Sequence, residues 1–494
     1  MDPTIESSSK CPAPLASALQ AAQKHSHYLR NLLAARPEIG AWLEAHAAQA
    51  LGVEQMNDFL NGAAASGSPA TTGDEPLKSA LRGLRQRVMA ALVVRDVGGL
   101  ATLAEVVESM TVLAEISTNR ALDFHHRQLC EQFGEPLDSH GQAQRLLVIG
   151  MGKLGGRELN VSSDVDYIFI YPEDGQTAGE GRRIDNYDFF QRLGKRLIGT
   201  LGELTEDGRV FRVDMRLRPN GDSGPLVCSL DSLEHYLIAQ GREWERYAWI
   251  KARVLNHGEN LQPQWVSALQ NICRPFVFRK YLDFGAINAM RDLHAQIRRE
   301  VARKEMAEHI KLGPGGIREI EFIAQVFQLI RGGRDPVLQT KPTLEVLALL
   351  AERRLLPADN EHELAAAYTF LRRLEHRLQY VNDAQTHRLP GTEEERQQIA
   401  SSLSFADWSA FVAVLDEHRA IVSRCFEAVF SEPEEGTHPL LGIWEEVVAG
   451  DDGLERLSSL GFRQPKAILE RLHGFRQSSR YAQLPAPNRE RLDA

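Results

Sequence analysis

Strand-like patterns occupy one window of this chain, and that confinement limits its fold more than any other feature. RLLVIG (residues 145–150) and VDYIFIYP (165–172) are short apolar runs that end at glycine or proline. GRVFRVDMRLRP (208–219) alternates apolar and polar side chains, which predicts a third strand. A helix is predicted before it from residues that recur at helical spacing: Phe190, Leu193, Leu197 and Leu201. We therefore predict a mixed α and β domain over residues 141–258.

Helical periodicity dominates on both sides of this window, so the predicted fold class is α+β and mostly helical. One apolar stripe consists of Ile287, Met290, Leu293, Ile297 and Val301. A second consists of Leu364, Ala367, Leu371, Leu374 and Leu378. The predicted regions beside the mixed domain are a helical region 1–140 with a flexible loop near 62–76, a helical domain 259–432, and a linker with the start of a further, apparently truncated helical region, 433–494.

Composition excludes several classes of protein. The chain has 494 residues, 43% of them hydrophobic and 25% charged, which is ordinary for a soluble globular protein. Its net charge of −10 argues against non-specific nucleic-acid binding. Apolar runs of the ~18–20 residues that cross a bilayer are missing, as is a secretory signal. Five scattered cysteines without a CxxC pair fit a reducing cytoplasm. We expect a cytoplasmic protein with no membrane or nucleic-acid partner.

Two aspartates at the start of the second strand are candidate metal ligands. Asp164 and Asp166 are two residues apart, so in a strand both carboxylates point to the same face. Neighbouring carboxylates repel each other unless a cation joins them, and oxygen ligands suit Mg²⁺ or Mn²⁺. The alternative is a solvated strand end with two aspartates that bind nothing.

The third predicted strand strengthens the metal interpretation. One of its faces would carry a carboxylate among guanidinium groups: Arg212, Asp214, Arg216 and Arg218. Such a face suits a metal on the aspartate and phosphate oxygens on the arginines. An exposed strand with several ion pairs is the alternative.

A dinucleotide-binding fingerprint in the same segment is weighed and set aside. Gly150, Gly152 and Gly155 form GxGxxG after a strand, and Glu173 could serve as the ribose-binding acid. However, only eight residues separate Gly155 from Asp164. A parallel crossover with its helix needs at least ~10–12 residues.

The segment GMGKLGGRELNVSSDVD, residues 150–166, resembles the nucleotidyltransferase motif of bacterial glutamine synthetase adenylyltransferases, which belong to the polymerase-beta-like nucleotidyltransferase superfamily. The resemblance covers about residues 80–430 and includes KLGPGGIREIEFIAQVFQLIRGGR (311–334) and LRRLEHRLQYVNDAQTH (371–387). It implies a nucleotidyltransferase domain between helical regions. The superfamily pattern is a glycine turn, then Asp-x-Asp, then a third carboxylate on a later strand.

The resemblance implies the following site. The catalytic and metal-binding residues would be Asp164, Asp166 and Asp214, with Mg²⁺ or Mn²⁺ as cofactor. The nucleotide- and phosphate-binding residues would be Lys153, Gly155, Gly156, Ser162, Ser163, Arg216 and Arg218. Glu319 and Glu321 are candidates for a contribution from the helical domain. The glycine-rich turn before them would either hold an anion or tightly connect two helices.

The resemblance also implies a function. Members of the family carry two such domains: the N-terminal one removes AMP from a tyrosine of glutamine synthetase by phosphorolysis, and the C-terminal one adds AMP from ATP. ELNVSSDVD is similar to the N-terminal version, which implies a glutamine synthetase-adenylyl-tyrosine phosphorylase. The implied partners are adenylylated glutamine synthetase and the uridylylated PII signal protein. The implied small molecules are phosphate, ADP and glutamine as a regulator.

Three alternatives remain. The chain could be the adenylyltransferase half, which adds AMP from ATP, or a catalytically weak regulatory module. The PII uridylyltransferase is a third, but its phosphohydrolase domain carries adjacent His-Asp, and none of the 16 histidines here precedes an aspartate.

A basic stripe on a later helix is predicted to be a solvated face or a partner contact: Arg373, His376, Arg377 and Tyr380.

Overall fold

The computed structural model describes residues 13–66, 73–256, 262–279, 308–430 and 464–484, with isolated positions between 454 and 489. The chain divides into two compact units, Met1–Phe426 and Glu427–Ala494. The fold is α+β and mostly helical, as predicted. The boundaries of the four predicted regions stay a prediction.

A helical layer precedes the sheet. Its described helices are α1 (Ala13–His25), α2 (His27–Ala35), α3 (Pro37–His46), α4 (Val53–Ser66), α5 (Glu75–Val97) and α6 (Leu103–Phe133). The Thr102 side chain caps α6 by accepting a hydrogen bond from the Glu105 amide. The loop predicted near 62–76 is too long at both ends, because alanine-rich residues extend α4 and a proline suits the first turn of α5. Residues 67–72 lie outside the described residues.

The sheet follows in the predicted window. Its strands are β2 (Leu147–Gly150), β3 (Val165–Tyr171), β5 (Val213–Asp214), β6 (Val227–Ser229) and β7 (Arg253–Val254). Strand β3 pairs antiparallel with β2 on one edge, and in parallel with β5 and then β6 on the other. A separate ribbon joins β1 (Glu135–Pro136) to β4 (Thr177–Ala178). The apolar runs of β2 and β3 are almost wholly buried, which explains why their patterns are continuous rather than alternating.

Among the described residues, four helices lie between these strands in the chain, and a fifth follows the last strand. They are α7 (Gly152–Gly155), α8 (Asn186–Gly202), α9 (Leu230–Ala239), α10 (Glu243–Trp249) and α11 (Pro263–Val277). Helix α8 packs against α6 and buries the predicted stripe of Phe190, Leu193, Leu197 and Leu201. One apolar core therefore runs from the first helices through the sheet to α8.

Two sequence interpretations are settled by the sheet. The antiparallel pairing of β2 with β3 rules out the parallel unit that a dinucleotide site needs, so setting that alternative aside is confirmed. The strand predicted over 208–219 is wrong in extent, since only Val213 and Asp214 pair with β3. Beyond them the chain turns, and Arg216 and Arg218 are not on the strand.

A second helical layer follows. Its helices in the first unit are α12 (Ile317–Arg331), α13 (Thr343–Glu352), α14 (Ala358–Tyr380), α15 (Glu393–Ser402) and α16 (Trp408–Phe430), whose last residues belong to the second unit. The stripe predicted on α14 from Leu364 to Leu378 is buried, as expected. The stripe from Ile287 to Val301 lies outside the described residues. The second unit contains α17 (Pro465–Arg476) and α18 (Ser479–Ala482).

The basic stripe on α14 is not a solvated face. His376, Arg377 and Tyr380 are fully buried. The Arg377 guanidinium lies 2.6 Å from a carboxylate oxygen of Asp96 on α5, and the Tyr380 hydroxyl donates to the same carboxylate at 3.0 Å. The prediction of solvent or partner exposure is wrong for these three residues, because Asp96, from a distant part of the chain, neutralises Arg377 and accepts a hydrogen bond from Tyr380.

Candidate active site

A cavity of about 570 Å³ lies between the sheet and the second helical layer. Its sheet side carries Gly152, Lys153, Ser163, Asp164, Asp166 and Asp214. Its helical side carries Lys311, Arg318, Glu321 and Gln325. The three aspartates singled out by their spacing thus line one cavity.

The sheet register brings the carboxylates together. Asp166 and Asp214 are paired neighbours on parallel strands β3 and β5, and Asp164 immediately precedes β3. Side chains at paired positions of adjacent strands project to the same face. The three carboxylates therefore face the cavity from the start of β3 and from the neighbouring strand β5.

Asp166 is the most perturbed of the three carboxylates. Burial, followed by the negative charges of Asp214 and Asp164, raises the pKa of Asp166 to about 6. Neighbouring like charges stabilise the neutral acid unless a cation is present. The donor set is therefore of the kind that binds a divalent cation through oxygen atoms.

Arginines neutralise the other two carboxylates. Arg212 forms an ion pair with Asp164, and Arg216 forms one with Asp214. Hydrogen bonds from Arg216 hold the pKa of Asp214 below its usual range. Within the described ranges, three ligand atoms of His, Cys, Asp or Glu side chains lie within 4.8 Å of one another only in the cluster of His126, Cys130 and Glu135, and the three aspartates do not form such a cluster. The aspartates fit a divalent cation by their chemistry, and the metal site stays a prediction.

The glycine turn meets the cavity through Gly152 and Lys153 rather than through the predicted Gly155 and Gly156. Gly152 has a φ of +53°, and a β-carbon there would lie 3.3 Å from Oδ2 of Asp166. Gly155 packs against the backbone of Lys251, where a β-carbon would come within 1.9 Å of a carbonyl oxygen. The second glycine of the fingerprint thus gives room to a carboxylate, and the third permits tight packing.

Lys153 crosses the cavity to the helical layer, where it pairs with Glu321. Burial lowers the pKa of Lys153 to about 8. Burial opposes ionisation of Glu321, but Lys153 and Lys251 outweigh it and lower its pKa to about 2. Both groups are therefore charged at neutral pH, and the lysine is already neutralised.

The remaining predicted residues divide between the cavity and other roles. Ser163 lines the cavity, whereas the Ser162 hydroxyl donates to Asp383 at 2.6 Å. Arg218 donates to the Met215 carbonyl at 2.8 Å and does not line the cavity. Glu319 accepts from the Gly315 amide at 3.0 Å, within its own turn. Of the candidate pair on α12, only Glu321 faces the cavity.

Lys311 and Arg318 are cavity residues that sequence reasoning did not select. Both come from KLGPGGIREIEF, a segment that the resemblance already covered, so that segment was the available signal. Trp244, Tyr247 and Phe322 add an apolar part to the same cavity.

The short sheet with an aspartate pair, a third aspartate on the adjacent parallel strand and a glycine turn defines a nucleotidyltransferase-like domain of the polymerase-beta type. Comparison with known families agrees with this class. The chain belongs to the glutamate-ammonia ligase adenylyltransferase family, whose model matches residues 17–267. A second family model, GlnD PII-uridylyltransferase, matches residues 291–430.

Curated relatives extend over nearly the whole chain. A bifunctional glutamine synthetase adenylyltransferase/adenylyl-removing enzyme from Aromatoleum aromaticum is 54% identical over 98% of this chain and 50% of its own length. The protein of the same name from Chromobacterium violaceum is 52% identical over 98% of this chain and 53% of its own length. This chain therefore spans about half the length of the curated relatives it matches. In the described part of the chain, every helix is too short or too polar to span a membrane.

Proposed function

We propose that this chain removes AMP from an adenylylated tyrosine of glutamine synthetase by phosphorolysis. The observation that carries the proposal is one cavity with three aspartates on the sheet side and cationic side chains on the helical side. Relatives named as adenylyltransferase/adenylyl-removing enzymes support the substrate class. The similarity of ELNVSSDVD to the N-terminal version of the motif favours removal over transfer.

The proposed reaction joins phosphate to AMP. An oxygen of inorganic phosphate forms a bond to the phosphorus of tyrosyl-AMP, and the bond from that phosphorus to the tyrosine oxygen breaks. The products are ADP and a tyrosinate, which takes a proton from solvent. Both reactants are anions, so charge neutralisation is the main task of the site. A phenolate with a pKa of ~10 can leave without a dedicated acid.

Asp164, Asp166 and Asp214 would hold Mg²⁺ or Mn²⁺, which when bound supplies positive charge to the reacting phosphoryl group. The raised pKa of Asp166 supports this assignment, since a bound cation would relieve the repulsion that causes it. Gly152 leaves space beside Asp166 for an oxygen ligand. Arg216, which pairs with Asp214 at the rim of the cavity, would contact oxygens of the AMP phosphate rather than those of the attacking phosphate.

Regulation and location belong to the same proposal. Uridylylated PII is proposed as the activating partner and glutamine as a regulator, in a cytoplasmic setting. The alternative with the strongest support is the adenylyltransferase half, since the relatives' names include both activities. A regulatory module without activity is disfavoured because all three carboxylates line the cavity. The uridylyltransferase alternative is disfavoured because the match to the GlnD PII-uridylyltransferase family starts after the strands that carry the three aspartates.

An assay in both directions tests the proposal. The chain is incubated with adenylylated glutamine synthetase, phosphate and Mg²⁺, and separately with unmodified glutamine synthetase and ATP. We expect ADP and unmodified glutamine synthetase in the first reaction and no transfer of AMP in the second. Transfer of AMP without phosphorolysis would establish the alternative half-reaction.

A further inference from the structure

Two cations on the helical side of the cavity are held next to each other by the backbone. Lys311 and Arg318 flank the glycine-rich turn before α12. The Arg318 amide donates to the Lys311 carbonyl at 3.1 Å, and the Ile317 amide donates to the Ile310 carbonyl at the same distance. These hydrogen bonds join the two ends of the turn, so the side chains of Lys311 and Arg318 line the same wall of the cavity.

The other cations of the cavity are already neutralised. Lys153 pairs with Glu321, Arg216 with Asp214, and Lys251 with the buried Glu158. Across the described ranges, neither Lys311 nor Arg318 has an ion-pair partner. Two positive charges on one wall thus remain available for an anion.

Lys311 is close enough to the carboxylates to influence them. Lys311 lines the same cavity as Asp164, Asp166 and Asp214. The Lys311 ammonium contributes to lowering the pKa of Glu321. Lys311 therefore lies within electrostatic reach of the reacting centre, whereas Arg318 is exposed at the cavity rim.

We propose that Lys311 and Arg318 form the subsite that holds the attacking phosphate. This inference rests on the proposed phosphorolysis. Phosphate is repelled by the three aspartates, so it needs positive charge on the opposite wall to approach the phosphorus of tyrosyl-AMP. Lys153, the residue first considered for this role, is committed to Glu321. Arg318 offers a planar fork suited to two phosphate oxygens, and Lys311 a point charge.

The subsite makes a prediction about nucleotides that is independent of turnover. The attacking phosphate becomes the β-phosphate of ADP, whereas AMP has no group in that position. ADP binding should therefore depend on Lys311 and Arg318, and AMP binding should not. Free phosphate and the β-phosphate of ADP would occupy the same subsite. The affinities for phosphate and for ADP can be measured separately.

Calorimetric titration of ADP and AMP into the full chain with Mg²⁺ tests this inference. We expect Arg318→Gln and Lys311→Gln each to weaken ADP binding about tenfold, as for a lost charge-assisted hydrogen bond, and AMP binding less than twofold. Arg318→Lys should restore part of the ADP affinity. Arg331→Gln, at the other end of α12 and exposed, is the matched control and should leave both affinities unchanged.

Steady-state kinetics separate this inference from the proposed function. The variants should raise the KM for phosphate about tenfold without changing the KM for adenylylated glutamine synthetase. Unchanged ADP affinity in both variants, or wild-type protein that binds ADP no better than AMP, would overturn the subsite. If the binding pattern holds but the wild type forms no ADP from adenylylated glutamine synthetase, the subsite stands and the phosphorolysis proposal fails.

Discussion

At the scale of single residues, Asp166 has the most perturbed pKa of the three aspartates in the cavity. Burial, followed by the negative charges of Asp214 and Asp164, raises its pKa to about 6. Asp166→Asn removes one negative charge and one oxygen ligand. Phosphorolysis should fall by about 10²–10³, the usual cost of one electrostatic contribution of ~3–4 kcal/mol. Stability in metal-free buffer should hold or rise, because repulsion is relieved. ADP release and thermal melting of the purified variant measure both.

Asp164→Asn and Asp214→Asn should lose activity to a similar extent. Each leaves an arginine without its partner, but Arg212 and Arg216 keep access to solvent, so the cost in stability is small. Glu173→Gln is the control, because the Glu173 carboxylate accepts hydrogen bonds from Ser139 and lies outside the cavity. Near-normal activity of the aspartate variants, or a large loss in the control, would place the reaction elsewhere.

The aspartates could be found from sequence because their spacing is local. Asp164 and Asp166 are two apart in a strand, which is enough to place them on one face. Lys311 could not be found in that way, since the fold brings it to the cavity from more than a hundred residues away. Lys153 lines the cavity, but its partner Glu321 is equally remote in sequence.

At the scale of elements, the two inner strands and α8 were predictable, and the third strand was not. Continuous apolar runs such as 147–150 specify a buried strand with little help from tertiary context. The alternation over 208–219 has strand character, but β5 lies at an edge and β3 offers it only two paired residues. Pairing partners, rather than propensity, decide where such an edge strand ends.

The contact between α5 and α14 depends on a buried ion pair. Arg377 was predicted to face solvent or a partner because sequence does not show Asp96, which neutralises it. Asp96→Asn would leave the Arg377 guanidinium buried without its counter-charge. We expect a loss of about 3–5 kcal/mol in the free energy of unfolding at neutral pH. Chemical denaturation of the variant measures it, and a loss below about 1 kcal/mol would contradict the account.

The same pair gives the stability a pH dependence. Burial alone would raise the pKa of Asp96, but the Arg377 guanidinium outweighs it and holds that pKa far below its usual range. A carboxyl whose pKa is lowered by folding stabilises the protein above its unfolded pKa of ~3.9, and this stabilisation is lost as the pH falls towards the folded value. The gap in stability between wild type and Asp96→Asn should therefore narrow below about pH 4. A gap that stays constant down to pH 3 would show that Asp96 does not titrate as described.

At the scale of the first unit, a buried polar network ties the sheet to the second helical layer. Glu158 follows the glycine turn and pairs with Lys251. It also accepts from the Thr343 amide at 2.6 Å and from the Tyr368 hydroxyl at 3.3 Å. The Arg372 side chain donates to its carbonyl at 2.7 Å. Such a network makes the stability of one layer depend on the other.

Glu158→Gln should destabilise both layers together, by about 3–5 kcal/mol, because Lys251 and Arg372 lose a buried negative charge. Hydrogen exchange followed by mass spectrometry measures the loss of stability separately in the sheet and in the second helical layer. Faster exchange in β2 and β3 as well as in α13 and α14 is the expected outcome. Glu131→Gln, at a solvent-exposed position of α6, is the control and should leave both layers unchanged. Faster exchange in one layer alone would show that the two fold independently.

At the scale of the whole chain, sequence predicted the fold class and the sheet side of the cavity. On the helical side, Glu321 was a candidate from sequence, whereas Lys311 and Arg318 escaped prediction because they reach the aspartates only through long-range packing. Family membership is shown by the match over residues 17–267, and the activity of this half of the longer relatives is the open claim.

The fate of labelled phosphate tests that claim most directly. The chain is incubated with adenylylated glutamine synthetase, Mg²⁺ and ³²P-labelled inorganic phosphate, and the nucleotides are separated. We expect label in the β-phosphate of ADP, in an amount equal to the unmodified glutamine synthetase formed, and about a hundredfold less or lower still with Asp166→Asn. Release of unlabelled AMP, or no release of nucleotide by the wild-type chain, would contradict it.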